Sequence, residues 1–282
     1  SSDLSNRRRL QWCAAVSALL VAAAACADND AARPGTSPGA NSDVSTTRVE
    51  CTEPFVVLSA LPRTEPGFTQ GLAFLDGALY ESTGRYGESA IRQLDRTTFA
   101  VVDQVVLPAD RFGEGLTALG GSLYQLTWRE EVGYVWGPDL STRGTFTYAG
   151  EGWGLTTDGT SLIRSDGSNR LVWTDPTTML DTRELLVFDG DGPVTELNEL
   201  EWVDGMILAN VWQTDTVVVI DPADGRVLAR LDLADLRPEA TLADPNAVLN
   251  GIAFDPQTGA LLVTGKRWPV MYEVAIDLDC WR

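Results

Sequence analysis

Short apolar runs, separated by turns rich in Gly, Asp and Pro, recur along most of the chain. In each repeat a Gly-Leu-like pair opens an apolar run, a turn follows, and a second apolar run comes next, as in β-hairpins. The spacing of roughly 40 to 50 residues is typical of propeller blades. Five copies occur: FTQGLAFLDGALYESTG from Phe68, FGEGLTALGGSLYQLTW from Phe112, EGWGLTTDGTSLIRSDG from Glu151, LNELEWVDGMILANVW from Leu197 and LNGIAFDPQTGALLVTGK from Leu249.

Each copy continues into two more strand-like runs, which predicts an all-β protein folded as a five-bladed β-propeller. The last copy contains only three such runs before the chain ends. The missing strand is available in PFVVLSA, residues 54–60, which we expect to close the ring by pairing antiparallel with the C-terminal blade, Phe55 lying near Ile276. That register brings Cys51 close to Cys280 and predicts a disulfide between them, provided that the chain is exported to an oxidising compartment.

The N-terminal segment carries the signals of export. Arg7, Arg8 and Arg9 precede an apolar run that is too short to span a membrane, and residues 1–25 are therefore interpreted as a signal peptide. The run ends in LLVAAAAC, which resembles a bacterial lipobox and predicts lipidation at Cys26; ordinary cleavage and a secreted protein is the alternative. Residues 26–50 are polar and small, which predicts a flexible tether before the propeller domain of residues 51–282. The protein is thus expected to be a cell-envelope lipoprotein on the periplasmic or extracellular side.

The amino-acid composition excludes several classes of function. The chain has no histidine, which excludes Ser-His-Asp and Cys-His catalysis and His-ligated zinc. A formal net charge of −19 argues against nucleic acid and against anionic membranes as partners, apart from the N-terminal lipid.

Lys266 is the only lysine among 21 cationic side chains, so a general preference for arginine is broken at this one position. We expect a monomer.

In a propeller, the loops that lead into the first strand of each blade share one face with the loops that join the second and third strands. The repeats therefore predict which side chains surround one end of the channel. Glu81 follows Leu79 and Tyr80 in a strand pattern, where burial would raise a carboxyl pKa and suit it to acid–base work. Most tryptophans are expected to pack between blades, whereas Trp128 and Trp212 follow strand ends and could wall a pocket. The other residues predicted on this face include Phe68, Gln70, Glu114, Glu151, Trp153, Asn198, Asn250 and Lys266.

The motifs FTQGL, LYESTGRYGES, LTW, LNELEW, NVW and VLNGIAFD with LLVTGK together resemble the plant-type glutaminyl-peptide cyclotransferases, a family that also occurs in bacteria. The resemblance implies a five-bladed propeller that converts the N-terminal glutamine of a peptide or protein to pyroglutamate with loss of ammonia. Position by position, it implies that Glu81 is the catalytic acid/base. It further implies a set of substrate-binding residues: Phe68, Gln70, Trp128, Asn198, Trp212 and Lys266.

The resemblance implies no required cofactor and allows a structural calcium in the channel. It also separates this chain from the animal-type glutaminyl cyclases, which are zinc enzymes with an α/β fold. Two alternatives from other classes stay open on the sequence. One is a non-catalytic peptide- or ligand-binding propeller lipoprotein. The other is a five-bladed glycoside hydrolase with a carboxylate pair drawn from Glu81, Glu114, Glu151 and Glu199.

Overall fold

Five four-stranded antiparallel sheets, one for each predicted repeat, form a β-propeller in a computed structural model that describes residues 55–281. The first strand along the chain is β1 (Phe55–Pro62). Blade 1 contains β2 (Thr69–Leu75), β3 (Ala78–Thr83), β4 (Ala90–Leu94) and β5 (Val101–Val106). Blade 2 contains β6 (Gly113–Leu119), β7 (Ser122–Thr127), β8 (Val132–Trp136) and β9 (Thr142–Thr147).

The remaining blades repeat this plan. Blade 3 contains β10 (Leu155–Thr157), β11 (Leu162–Ser165), β12 (Arg170–Thr174) and β13 (Asp181–Leu186), and is followed by a small hairpin of β14 (Phe188–Asp189) and β15 (Gly192–Pro193). Blade 4 contains β16 (Leu197–Val203), β17 (Met206–Val211), β18 (Thr216–Ile220) and β19 (Val227–Asp232). Blade 5 contains β20 (Leu249–Phe254), β21 (Leu261–Gly265), β22 (Val270–Ile276) and β1. Short 3₁₀ helices lie at Ala234–Leu236, Glu239–Thr241 and Leu278–Trp281. In the described part of the chain, no helix has the length and apolar character needed to cross a bilayer.

The ring closes as the sequence predicted. Strand β1 is the outer strand of blade 5 and pairs antiparallel with β22, with Phe55 opposite Ile276. Cys51 lies outside the described residues, so the disulfide between Cys51 and Cys280 remains a prediction. The signal peptide, the lipidation at Cys26 and the tether also fall outside residues 55–281 and remain predictions, as do the export and the monomeric state.

A separate apolar cluster fills each interface between neighbouring blades. Successive side chains of a strand point to opposite faces, so each blade contributes one set of residues to each neighbour. Between blades 4 and 5, for example, Leu208 and Val219 pack with Ile252, Val263 and the fully buried Trp268. Four similar clusters occupy the other interfaces. The packing role expected for most tryptophans thus applies to Trp268.

The glycine of the repeated Gly-Leu pair allows the inner strands to approach one another around the channel. A Cβ atom at Gly71 would collide with the backbone of Leu116 in blade 2, and one at Gly154 would collide with the backbone of Asn198 in blade 4. In blade 4 the equivalent residue is Glu199. Its carboxyl group accepts hydrogen bonds from the backbone N–H groups of Leu72 at 3.3 Å and Ile252 at 2.9 Å, which belong to blades 1 and 5.

Replacing one of these glycines should therefore separate two blades. We expect Gly154→Ala to lower the free energy of unfolding by about 3 kcal/mol, because the new methyl group has no space and the neighbouring atoms are backbone. Gly190→Ala is the matched control, since no atom lies within 4 Å of a Cβ at that position. Urea unfolding of both variants tests this, and equal stability would contradict the close approach.

Candidate active site

A cavity of about 270 Å³ opens at the channel mouth. All six predicted substrate-binding residues line it: Phe68, Gln70, Trp128, Asn198, Trp212 and Lys266. Four further residues complete the lining: Phe112, Glu114, Trp153 and Asn246. The cavity therefore lies on the face that the repeats predicted, and all five blades or the loops between them contribute to it.

β-Bulges at the start of the inner strands position the polar residues of this cavity. In β2, Thr69 pairs with Thr83 and Gly71 with Ser82, so Gln70 is an extra residue in the ladder. The same irregularity in β6 and β16 falls at Glu114 and Asn198. Bulges redirect side chains and are common beside active sites. Here they bring Gln70, Glu114 and Asn198, which occupy the same position in the repeat, to the cavity.

Glu114 is the acidic residue of the lining, and it is almost fully buried. Its Oε1 atom accepts a hydrogen bond of 2.7 Å from Nε2 of Gln70, whose own Oε1 accepts one from Asn250. This chain fixes the orientation of both groups. Burial raises the pKa of the Glu114 carboxyl well above its usual value, although the charge of Lys266 opposes the shift. A carboxyl of raised pKa, held in one orientation, is suited to proton transfer near neutral pH.

Lys266 is only 4% exposed, so the chain's one lysine is not a surface residue. Burial lowers the pKa of its ammonium to about 8, and the charge of Glu114 works in the opposite direction. Its Nζ atom lies 5.1 Å from the centre of the Phe68 ring. The cavity thus contains one acid and one base whose pKa values are both displaced towards the neutral range.

Tryptophan and phenylalanine rings form the walls, and a carboxylate holds two of them in place. Oε2 of Glu151 accepts hydrogen bonds from the indole N–H of Trp128 at 2.8 Å and of Trp153 at 3.0 Å. Trp153 packs edge-on against Trp212, with ring centres 5.5 Å apart. Burial raises the pKa of Glu151, but these hydrogen bonds and one from Arg129 outweigh burial and lower the pKa, which keeps the carboxylate charged. The result is a rigid, mostly apolar cavity with a few oriented polar groups, as small-molecule sites usually are.

Comparison with known proteins is consistent with this geometry. A sequence family described as glutamine cyclotransferase matches residues 21–276. The glutaminyl-peptide cyclotransferase of Arabidopsis thaliana is 38% identical over 225 residues, which is 78% of this chain and 70% of that protein. The chain belongs to the glutamine cyclotransferase family. The crystal structure of the Myxococcus xanthus glutaminyl cyclase is 37% identical and superposes with a TM-score of 0.73, covering 79% of this chain and 96% of that one.

These matches confirm the family, the five-bladed fold and the predicted enzyme class, a transferase with glutaminyl-peptide cyclotransferase activity. They do not favour the binding propeller or the glycoside hydrolase.

Glu81, predicted to be the catalytic acid/base of this cyclotransferase, does not line the cavity. It is fully buried in blade 1, where its Oε1 atom accepts hydrogen bonds from Arg63 at 2.7 Å and from the hydroxyl of Thr69 at 2.6 Å. Arg92 lies 3.7 Å from its other oxygen. A carboxylate enclosed by two arginines is held as an ion-pair partner. This position supports a structural role for Glu81.

The described part of the channel has no cluster of carboxylates that would suit a calcium ion. Both carboxylate oxygens of Glu199 accept backbone N–H groups. Within residues 55–281, no three His, Cys, Asp or Glu side chains lie close enough together to hold a metal. Ca²⁺ also binds backbone carbonyl and side-chain amide oxygens, so the structural calcium that the resemblance allows stays a prediction.

Sequence reasoning placed Glu114 and Trp153 on the correct face but did not select them, and it missed Phe112 and Asn246. A signal for Glu114 was present, because FGEGL aligns with FTQGL and puts Glu114 at the position of Gln70. For Asn246 no such signal exists, since it comes from the loop before β20.

The environment of Glu81 predicts a stability defect on substitution. We expect Glu81→Gln to lower the free energy of unfolding by about 3 kcal/mol, because it leaves the buried guanidinium of Arg63 without a charged partner. The matched control is Glu184→Gln, which breaks an exposed ion pair with Arg170 and should change stability by less than about 1 kcal/mol. Urea unfolding together with kcat measures both effects. Unchanged stability with a loss of kcat would support Glu81 as the acid/base.

Proposed function

We propose that the cavity binds the N-terminal glutamine of a peptide in a curled conformation and that Glu114 is its acid/base. The observation that carries this proposal is the position of Glu114, whose buried carboxyl lines the cavity with Lys266 as the neighbouring cation. Glu81 has its charge satisfied by Arg63 instead. The reaction is intramolecular, so the protein mainly has to hold one conformer and move one proton.

The proton transfer follows from this placement. The neutral α-amine of the substrate attacks the carbon of its own side-chain carboxamide, and a new N–C bond closes the five-membered ring. The Glu114 carboxylate accepts a proton from the attacking nitrogen. It then donates that proton to the departing nitrogen as the C–N bond breaks, so ammonia leaves and the carboxylate is regenerated. Such acid–base assistance contributes about 10²- to 10⁴-fold in rate.

Two polar groups are placed to recognise the reacting carboxamide. The Lys266 ammonium can donate to the oxygen, which becomes negative as the tetrahedral intermediate forms. Asn198 has an Oδ1 atom that is buried and has no hydrogen-bond partner among the described residues. Leaving such an acceptor unpaired costs about 1–3 kcal/mol, which an N–H group of the substrate would offset. Gln70 keeps the Glu114 carboxyl in position.

The aromatic walls exclude water from this chemistry. Trp128, Trp153 and Trp212 surround the space beside Glu114, and the hydrogen bonds to Glu151 prevent two of them from rotating away. A dry site strengthens the interaction of Lys266 with the developing negative charge. It also favours attack by the substrate's own amine over attack by water.

Replacing the proposed acid/base should stop turnover without unfolding the protein. We expect Glu114→Gln to lower kcat on a Gln-Ala-Ala peptide by at least about 100-fold, because the amide cannot carry the proton. Its stability should not fall, since a neutral amide is easier to bury than a carboxylate. Ammonia release and the mass of the cyclised peptide measure turnover. Full activity in this variant would contradict the role of Glu114, and no product from the unmodified protein on several Gln-peptides would contradict the activity itself.

Lys266 should determine how activity falls at high pH. Its ammonium loses its proton as the pH rises through about 8, so we expect kcat to decline above that pH. Lys266→Arg keeps the charge across this pH range, because a guanidinium does not lose its proton in proteins. We therefore expect this variant to be severalfold slower at neutral pH and to lack the alkaline decline. A kcat profile from pH 6 to 10 tests this, and an unchanged alkaline decline would assign it to another group.

A further inference from the structure

A second cavity, of about 290 Å³, adjoins the catalytic one on the same face of the propeller. The two share one wall, the ring of Phe68. On the catalytic side this ring faces Lys266. On the other side the cavity is lined by three arginines, Arg85, Arg92 and Arg267, and by one carboxylate, Glu88.

Three arginines in one cavity are unusual in this chain, where 40 acidic residues outnumber 21 basic ones. All three side chains remain accessible to a ligand. Arg85 is 43% exposed, Arg267 39% and Arg92 19%. Because these three arginines outnumber the one carboxylate of the lining, the lining carries a net positive charge on an otherwise acidic protein.

The acidic partners of these arginines leave donors free for a ligand. Arg85 contacts Glu88 at 3.4 Å, but that carboxylate is 67% exposed and largely solvated. Arg92 shares Glu81 with Arg63, which holds the carboxylate more closely. A guanidinium carries five N–H donors, so one carboxylate contact does not saturate it.

The position of Arg267 is fixed from two sides. Its side chain binds Asp244 at 2.8 Å, and its backbone N–H donates to the carbonyl of Gly67 at 2.7 Å. This backbone hydrogen bond ties the loop after β21 to the segment that carries Phe68. The guanidinium thereby stays over the edge of the second cavity.

Phe68 connects the positive cavity to the site of reaction. The Lys266 nitrogen lies 5.1 Å from the ring centre, while the guanidinium carbons of Arg267 and Arg85 lie 5.5 and 5.9 Å from it. An extended peptide advances about 3.5 Å per residue. A chain whose first residue occupies the catalytic cavity would thus reach these guanidinium groups with its second or third residue if it crosses Phe68.

We propose that this second cavity is a subsite for the residues that follow the N-terminal glutamine, and that it selects substrates with a carboxylate there. The proposal rests on the proposed binding of an N-terminal glutamine in the first cavity. Arginine matches a carboxylate with two parallel N–H donors, which gives geometric selectivity as well as charge attraction. The carboxylate is the side chain of Asp or Glu, or the C-terminus of a short peptide.

The test compares amidated peptides that differ in one group, with Glu or Gln at the second or third position after an N-terminal Gln and Ala elsewhere. We expect kcat/KM of the unmodified protein to be about fivefold higher for the Glu peptides at low salt, and the preference to shrink at 0.5 M salt. Comparing Gln-Ala-Ala as free acid and as amide distinguishes a C-terminal from a side-chain carboxylate. Equal kcat/KM for all of these pairs would overturn the proposal.

Substitutions in the second cavity test whether its arginines cause the preference for Glu peptides. Arg85→Gln combined with Arg267→Gln should abolish it, and the double substitution to Glu should favour Lys peptides instead. Arg226→Gln is the matched control, because this exposed arginine lies in the turn between β18 and β19, on the opposite face of the propeller. A loss of kcat/KM that is equal for Glu and Gln peptides would show a structural role for the arginines and contradict the subsite.

Binding to the Glu114→Gln protein, measured by calorimetry with the same peptides, separates the two proposals. Tighter binding of Glu peptides without turnover by the unmodified protein would support the subsite and contradict the proposed function. Turnover of all peptides without any preference would support the function and overturn the subsite.

Discussion

The inner strand of each blade has one edge without a neighbouring strand. The ring depends on hydrogen-bond partners for the backbone N–H and C=O groups at that edge. A buried N–H group without a partner is costly, so side chains replace the missing strand. Glu199 accepts two N–H groups from other blades across the channel, and Asn250 donates to the carbonyl of Thr69. Ser165 donates to the carbonyl of Asn198 in the same way. The channel is polar because the backbone edges require it.

The same constraint explains where the site lies. At the channel mouth the ladders of four inner strands, β2, β6, β16 and β20, are broken by bulges, which redirect side chains. In the first three of these strands a polar residue of the bulge lines the cavity. Gln70 and Glu114 hydrogen bond to each other there, although they belong to different blades. Catalytic groups on rigid strands are held more precisely than groups on loops. The fold thus supplies an orientation that the intramolecular reaction needs.

The sequence was sufficient to predict the five blades, the closing strand and the face that carries the site, because each depends on a repeat or on a local pattern. It was not sufficient to choose between Glu81 and Glu114. The repeat put both near one end of the channel, but the function of each depends on its neighbours in space. Arg63, which binds Glu81, comes from the loop after β1, and the cavity around Glu114 is assembled from all five blades. Such contacts leave no periodic signal in the chain.

Two of the cations beside Phe68, Arg85 and Lys266, show how equivalent loops acquire different tasks. Thr83-Gly84-Arg85 in blade 1 and Thr264-Gly265-Lys266 in blade 5 occupy the same place in the repeat. Burial beside a carboxyl suits an ammonium, whose pKa falls to about 8, whereas a guanidinium would keep its charge and its larger planar shape. The more exposed position suits a guanidinium, which can bind a carboxylate through two donors while solvent still reaches it. The single lysine of this chain therefore stands at a buried position that suits a compact cation.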